Sequence, residues 1–302
     1  METDKKIAIG IDCGGTNFRA ARIEDGKIVS EIIEKDTPQS IDDFNRLVDE
    51  MAENLQPNGV SRLPVGLSVP GMVDYRKNKI FHCPNLKFLN QITAEGINDR
   101  HRIYLGNDAD MSMLGEIVMG NLWKEDIALL TLGTGVGSAY YIGGVGPWQT
   151  NLESEIGHSK VDLGGERCSC GGSGCLETHF SGWSLASTAI QNDVMVESVA
   201  DLFDKARNGD PKALEIILDG TKYLGLALAN LVNVIGVNKI ILSGKISLSF
   251  DIFHPTLDQF FKNSLFLLKY RDVDIVQSTN IDRAPLIGAA HHALNVFRSY
   301  TV

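Results

Sequence analysis

The sequence predicts an α/β protein of two similar domains with a cleft between them. Three observations carry this reading. The chain has 302 residues, too long for one comfortable core and suited to about two domains of ordinary size. Each half opens with a pair of strands joined through a glycine-rich turn, first at Asp12-Cys13-Gly14-Gly15-Thr16-Asn17, then at Leu132-Gly133-Thr134-Gly135-Val136-Gly137. After each pair, strand patterns and helical patterns alternate.

The elements follow in order. Lys6 to Ile11 is a short apolar run and Asn17 to Ile23 a second. Asp25-Gly26 is a hairpin turn into a third strand, Lys27 to Ile33, so the chain is expected to open as an antiparallel meander of three strands. Ser40 is placed to cap a helix with Asp42 and Asp43 in its first turn. Phe44, Leu47, Val48, Met51 and Leu55 then recur at helical spacing. Arg62 to Val69 reads as a strand ending at Pro70-Gly71, and Ile103 to Leu105 as a strand ending at Gly106-Asn107-Asp108. Ala109 to Val118 is helical. The plan repeats with strands at Ile127 to Leu132 and Ser138 to Ile142, the turn Gly143-Gly144, a long helix from Ala213 to Ile235, and a buried strand at Lys239 to Leu242. Pro285 suits the first turn of a closing helix that runs to Tyr300.

Bulk properties narrow the function. Apolar residues make up 43% and charged residues 22%, the balance of a globular chain and not of a disordered one. The net charge of −10 repels phosphate backbones and disfavours nucleic acid as a partner. A small anionic ligand stays open, because backbone amides and a metal bind phosphate locally. Met1 to Lys6 lacks the basic-then-apolar layout of a leader, and no apolar run approaches the roughly 20 residues of a membrane span. The expected compartment is therefore the cytoplasm, with no membrane partner. Thiols stay reduced there, so clustered cysteines point to metal before disulfide.

Glycines in the two turns allow the backbone to bring N–H groups close to an anion, and an aspartate at a strand end can hold Mg²⁺ directly or through water. Either turn alone is equally well an ordinary hairpin. Both lie between strands, which argues against the dinucleotide fingerprint, and no Gly-Lys-Ser/Thr follows, which excludes a Walker loop. Two such turns, one per half, are what a nucleotide clamp needs.

Three of the five cysteines fall within eight residues, Cys168, Cys170 and Cys175, with His158 ten residues before the first. One histidine and three cysteines make a closed tetrahedral set for structural Zn²⁺. Cys-Ser-Cys lacks the two-residue spacer of a thioredoxin-type pair. Cys13 and Cys83 read as small buried thiols. Asn107-Asp108 sits between a strand and a helix, where it is either a cap or a carboxylate projecting into a site.

Together these stretches resemble the ROK (repressor, open reading frame, kinase) family of sugar kinases, within the superfamily that includes actin. The resemblance runs from about Ile7 to Ala293. It rests most on Glu155-Ile156-Gly157-His158 followed by Cys168-Ser169-Cys170-Gly171-Gly172-Ser173-Gly174-Cys175-Leu176-Glu177, and on Gly106-Asn107-Asp108-Ala109. The closing stretch Arg283 to Ala290 fits as well. It implies two ribonuclease-H-like α/β domains with an interdomain cleft. The smaller would hold residues 1–108 plus 285–302, and the larger 109–284 with the zinc loop.

The resemblance also implies roles. Asp12 would help hold Mg²⁺. Gly14, Gly15, Thr16, Asn17, Gly133, Thr134 and Gly135 would cradle the ATP phosphates. Gly244, in Ser243-Gly244-Lys245, would form the adenosine-side loop, although the family's glycine run is missing there. Zinc would sit on His158, Cys168, Cys170 and Cys175. Gly71, Asn85, Asn107, Glu155, His158 and Glu177 would meet the sugar, and Asp108 would accept the proton of its 6-hydroxyl. Glucose is the first expectation. N-acetylglucosamine, N-acetylmannosamine, allose and fructose stay open, as does a homodimer whose interface periodicity does not locate.

Lys87-Phe88 replaces the family's Pro-Gly after Asn85, and Glu153-Ser154 replaces Ala-Gly before Glu155. Trp148 either packs on a sugar face or is a structural tryptophan. These departures bear on which sugar is taken. The rival readings are a repressor, which would carry a helix-turn-helix domain ahead of Asp12 where this sequence has eleven residues, a non-catalytic sugar sensor, and an actin-like filament protein.

Overall fold

The computed structural model describes residues 6–59, 62–151, 154–266 and 272–299. Met1 to Lys5, Glu153 and Tyr300 lie outside them. The chain runs β1 (Ile7–Cys13), β2 (Asn17–Glu24), β3 (Lys27–Ile28), β4 (Ile33–Asp36), α1 (Ile41–Leu55), β5 (Val65–Val69), β6 (Met72–Asp74), β7 (Lys79–His82), α2 (Ala94–Ile97), β8 (Ile103–Asn107) and α3 (Asp108–Gly120). It continues with β9 (Ile127–Leu132), β10 (Val136–Tyr141), α4 (Pro147–Thr150), α5 (Gly182–Gln191), α6 (Val199–Arg207), α7 (Pro211–Ile235), β11 (Lys239–Ser243), α8 (Phe250–Ser264), β12 (Asp274–Gln277) and α9 (Ala284–Ser299).

The chain divides into two compact units. The first comprises Met1–Lys124, Gly144–Glu153 and Asn280–Val302, and the second Glu125–Gly143 and Ser154–Thr279. The boundary expected after Asp108 therefore moves to the far end of α3. The reason is close packing of α3 on α9. A Cβ at Gly115 would stand 1.9 Å from the Ala284 carbonyl oxygen, and one at Gly288 1.8 Å from that of Met111. Only glycines permit backbones so near, and they tie α3 to the closing helix.

In the first unit the sheet order is β3-β2-β1-β5-β8, with β4 also paired to β2. β1 is antiparallel to β2 and parallel to β5, and β5 is parallel to β8. Alternation along β1 covers both faces. Ile9 and Ile11 pack with Phe44, Val48 and Met51 of α1, while Ala8 packs with Leu286 and Ala290 of α9. Ser40 caps α1 as expected, its Oγ accepting from the Asp43 amide at 3.2 Å.

Two expectations are corrected. The single third strand is two, β3 and β4, both antiparallel to β2. Ser30 separates them, because its Oγ accepts the Arg22 amide at 2.9 Å and takes a ladder position from the backbone. The strand expected from Arg62 starts at Val65, since Pro64 has no N–H to give a ladder.

In the second unit the sheet order is β10-β9-β11-β12. β9 is antiparallel to β10 and parallel to β11, which is parallel to β12. This repeats the order β2-β1-β5-β8 of the first unit, so the duplication read from element order is present in the topology. The core gathers Leu130, Leu132, Ile240 and Leu242 against Leu224, Leu228 and Val232 of α7, with Phe253 of α8 and Phe180. Asp210 caps α7 with Pro211 in its first turn, and Gly236 ends it in the left-handed region at φ 81°.

Candidate functional site

Parallel pairing in the first unit sets the ends of β1, β5 and β8 side by side. Asp12 registers with Ser68, and Val69 with Asn107. Asp12 is buried and fully engaged: Oδ1 accepts from Ser68 Oγ at 3.1 Å and Oδ2 from the Arg19 guanidinium at 2.8 Å. Arg19 also reaches Asp282. Asn107 caps α3, its Oδ1 accepting from the Ala109 and Asp110 amides at 2.9 and 3.1 Å. Its Nδ2 donates to the Gly71 carbonyl at 3.0 Å. Asn107 thus holds backbone with the groups that were expected to meet a sugar hydroxyl. Asp108 is half-buried at the first position of α3, where its Oδ1 accepts from the Ala109 amide at 2.9 Å, and the cap reading falls on Asn107.

The charge of Asp108 reaches Cys13. Burial pushes the Cys13 thiol well above its usual range, and Asp12, Cys83 and Asp108 push it further. Cys83 is raised by burial as well. Both are fully buried thiols, as read from sequence.

The first glycine turn is held from behind. The Gly14 amide donates to the Asn17 carbonyl at 2.8 Å, and Thr37 brackets the turn with its amide on the Thr16 carbonyl and its hydroxyl on that of Gly14, each at 2.8 Å. Among the described residues the amides of Gly15 and Thr16 meet no protein acceptor. The Asn17 side chain, expected at a phosphate, donates to Glu34 at 2.7 Å instead. Gly71 is required by packing, since a Cβ there would come 2.4 Å from the His82 carbonyl oxygen. Asn85 lies exposed beyond β7.

In the second unit the turn between β9 and β10 closes with the Gly133 amide on the Gly135 carbonyl at 3.1 Å. The start of α5 lies against it: the Gly182 amide donates to the Gly133 carbonyl at 2.8 Å and that of Trp183 to Thr134 at 3.4 Å. Among the described residues the amides of Thr134 and Gly135 meet no protein acceptor. Gly244, with φ 85°, packs on Leu132, where a Cβ would stand 2.5 Å from its carbonyl oxygen. The loop after β11 therefore lies beside the second turn. Glu177, expected at the sugar, turns one oxygen to the Val136 amide at 3.0 Å. Gly157 lets Glu155-Ile156-Gly157-His158 lie on the same residue, since a Cβ there would be 2.2 Å from the Val136 carbonyl oxygen. Enclosure of the Glu155 carboxyl raises its pKa above the usual carboxylate range. His158 pulls it back and Glu177 adds to the rise.

The predicted metal set is brought together. One ligand atom each from His158, Cys168, Cys170 and Cys175 lies within 4.8 Å of the others. Gly171 and Gly174 adopt φ of 88° and 67°, which lets the loop double back on itself. Three sulfurs and one imidazole nitrogen in this volume fit Zn²⁺ in its closed tetrahedral form. A second group, Asp49, Glu53 and His101, also converges. Arg100 pairs with Asp49 and Arg62 with Glu53, so those carboxylates are already neutralised.

Sequence reasoning missed Tyr75 and Asp110. The Tyr75 hydroxyl donates to Asp110 at 2.5 Å and accepts from the Asn107 amide at 3.0 Å, fixing the strand end that carries Asp108. Burial, then the Asp110 charge, holds Tyr75 well above its usual pKa. Asp110 belongs to the run Asn107-Asp108-Ala109-Asp110, and a second acid so close to a proposed base was the available signal. Nothing local marks Tyr75.

Two α/β units thus share one strand order, and each carries a glycine turn with two amides that meet no protein acceptor among the described residues. The chain belongs to the ROK family, whose pattern matches residues 8–296. It is 27% identical to a glucokinase of Halalkalibacterium halodurans over 287 residues, covering 84% of each chain. It is 24% identical to a xylose repressor of Bacillus subtilis over 307 residues, 96% of this chain and 77% of that one. The crystal structure of a ROK family glucokinase from Streptomyces griseus in complex with glucose and AMPPNP matches with a TM-score of 0.79 and 25% identity, over 94% of this chain and 98% of that one. The family thus includes both sugar kinases and repressors. Among the described residues no helix is long and apolar enough to cross a membrane.

Proposed function

We propose that the chain is an ATP-dependent hexose kinase of the glucokinase type, with the 6-hydroxyl as acceptor and Asp108 as general base. The observation that carries this is the pair of glycine turns, each offering two adjacent amides without a protein acceptor. Gly15, Thr16, Thr134 and Gly135 would donate to phosphate oxygens there. Glucokinase relatives, one of them solved with glucose and AMPPNP, support both substrates.

Asp108, on the first turn of α3, takes the proton of the attacking hydroxyl. Glu155 and His158 meet sugar hydroxyls, and the elevated pKa of Glu155 suits a carboxyl that shares hydrogen bonds with them. Gly244 flanks the adenosine. Asp12, already held by Arg19 and Ser68, would help hold Mg²⁺. Mg²⁺, when bound, neutralises charge on the transferring phosphoryl group. His158, Cys168, Cys170 and Cys175 would hold a structural Zn²⁺, which would order the loop that carries Glu155 and Glu177. The expected compartment is the cytoplasm and the expected assembly a homodimer. A non-catalytic sugar sensor is the second reading, favoured by the likeness to a repressor over nearly the whole chain.

A coupled ADP-release assay with Mg·ATP against hexoses and N-acetylhexosamines decides between them. Sugar-dependent release establishes the kinase and names glucose or another sugar as its substrate. Sugar binding without release from any sugar establishes the sensor.

A further inference from the structure

Lys160 follows His158 by two residues and has no part in the phosphate or sugar chemistry above. Its backbone forms an isolated antiparallel bridge with Cys175, and the neighbouring Val161 amide donates to the Gly174 carbonyl at 2.9 Å. This pairing fixes the lysine against the cysteine loop. Its Nζ stands 2.6 Å from Cys175 Sγ and 4.0 Å from Cys170 Sγ, so its nearest polar partners are sulfur atoms. The ammonium lies over Gly172, where a Cβ would stand 2.6 Å from it. The glycine leaves the space that the ammonium fills.

Charge gives the placement a purpose. A dication on three thiolates and a neutral imidazole carries a net charge of about −1. Cys168 and Cys175 are buried, and a buried charge without a partner is costly. We propose that Lys160 is the built-in counter-ion of the cysteine loop, a positioning residue whose fixed positive charge neutralises the thiolate set and tightens its hold on zinc. A protonated ammonium has no lone pair to give a metal, so Lys160 acts from outside the ligand set. The proposal rests on the zinc reading of the four ligands.

The test uses the full chain, Lys160→Met and Lys160→Arg. Zinc affinity is measured by competition with a chromophoric chelator, and cobalt substitution reports the thiolate ligands through their charge-transfer band. The expected result is the same cobalt band in all three proteins, about 10–100-fold weaker zinc binding in Lys160→Met, and near wild-type affinity in Lys160→Arg. A Lys160→Met protein that keeps the band and binds zinc equally or more tightly overturns the counter-ion role alone; tighter binding would mean that the lysine competes with the metal. A wild-type chain with no cobalt-thiolate band overturns the zinc reading and the counter-ion with it.

Discussion

The two glycine turns present the same pair of bare amides but are built from different supports. Behind the first stands a charge pair. Asp12, on the strand that enters the turn, is gripped by Arg19 and Ser68, and Thr37, just past the end of β4, braces the loop. Behind the second stands a carboxylate from a distant part of the chain. Glu177 lies two residues after Cys175 and accepts the Val136 amide, while the first turn of α5 takes the outer carbonyls. The difference teaches that the first turn is shaped within one sheet, whereas the second depends on the cysteine loop. A metal bound at Cys175 would therefore also steady the acid that holds the turn.

Acid should separate the two units by the largest margin. His292 on α9 is fully buried, and burial holds its pKa at about 4; its neighbour His291 is lowered to about 4, again chiefly by burial. In the second unit burial also lowers the pKa of His179, which is half-buried, while the buried face of α7 carries no ionisable side chain. Between pH 6.5 and 4 the unfolded chain binds protons that these folded histidines refuse. Stability is therefore lost as pH falls through that window, by about 3 kcal/mol for His292. Denaturant melts at pH 7 and 4.5 should show the loss, and His292→Gln should shrink it. An equal loss in wild type and variant would remove His292 from the account.

A smaller effect tests the support of the second turn. Glu177→Ala leaves the buried Val136 N–H without an acceptor and should cost about 2 kcal/mol in a denaturant melt. Glu177→Gln retains a carbonyl oxygen for that amide and should recover most of the loss. Smallest of all is the stability effect of Gly15→Ala. A Cβ there meets nothing within 4 Å, so stability should stay within about 0.5 kcal/mol while the KM for ATP rises. Unchanged KM for ATP would mean that the first turn does not hold phosphate.

Legibility in the sequence followed distance along the chain. The two glycine turns, the cysteine loop and the cap at Ser40 are contiguous runs, and each can be read where it stands. The duplication could be inferred from element order, because each half begins with the same hairpin signal, but the order of strands within each sheet could not. Side-chain partners from far away were not. Asn17 is taken by Glu34 from the adjacent strand, Glu177 by an amide 41 positions back, and Asn107 by Gly71. The domain boundary failed for the same reason, since glycines 173 positions apart, Gly115 and Gly288, draw α3 to the closing helix. The Tyr75–Asp110 pair joins a hairpin to a helix and leaves no periodic trace.

The central claim is that Asp108 is the base of a phosphoryl transfer, and turnover of Asp108→Asn beside its sugar affinity tests it most directly. The substitution keeps the size of the side chain and the cap made by Asn107. The account predicts sugar binding close to wild type and sugar-dependent ADP release reduced by about 10²–10⁴-fold. Near-normal release with intact sugar binding would contradict it.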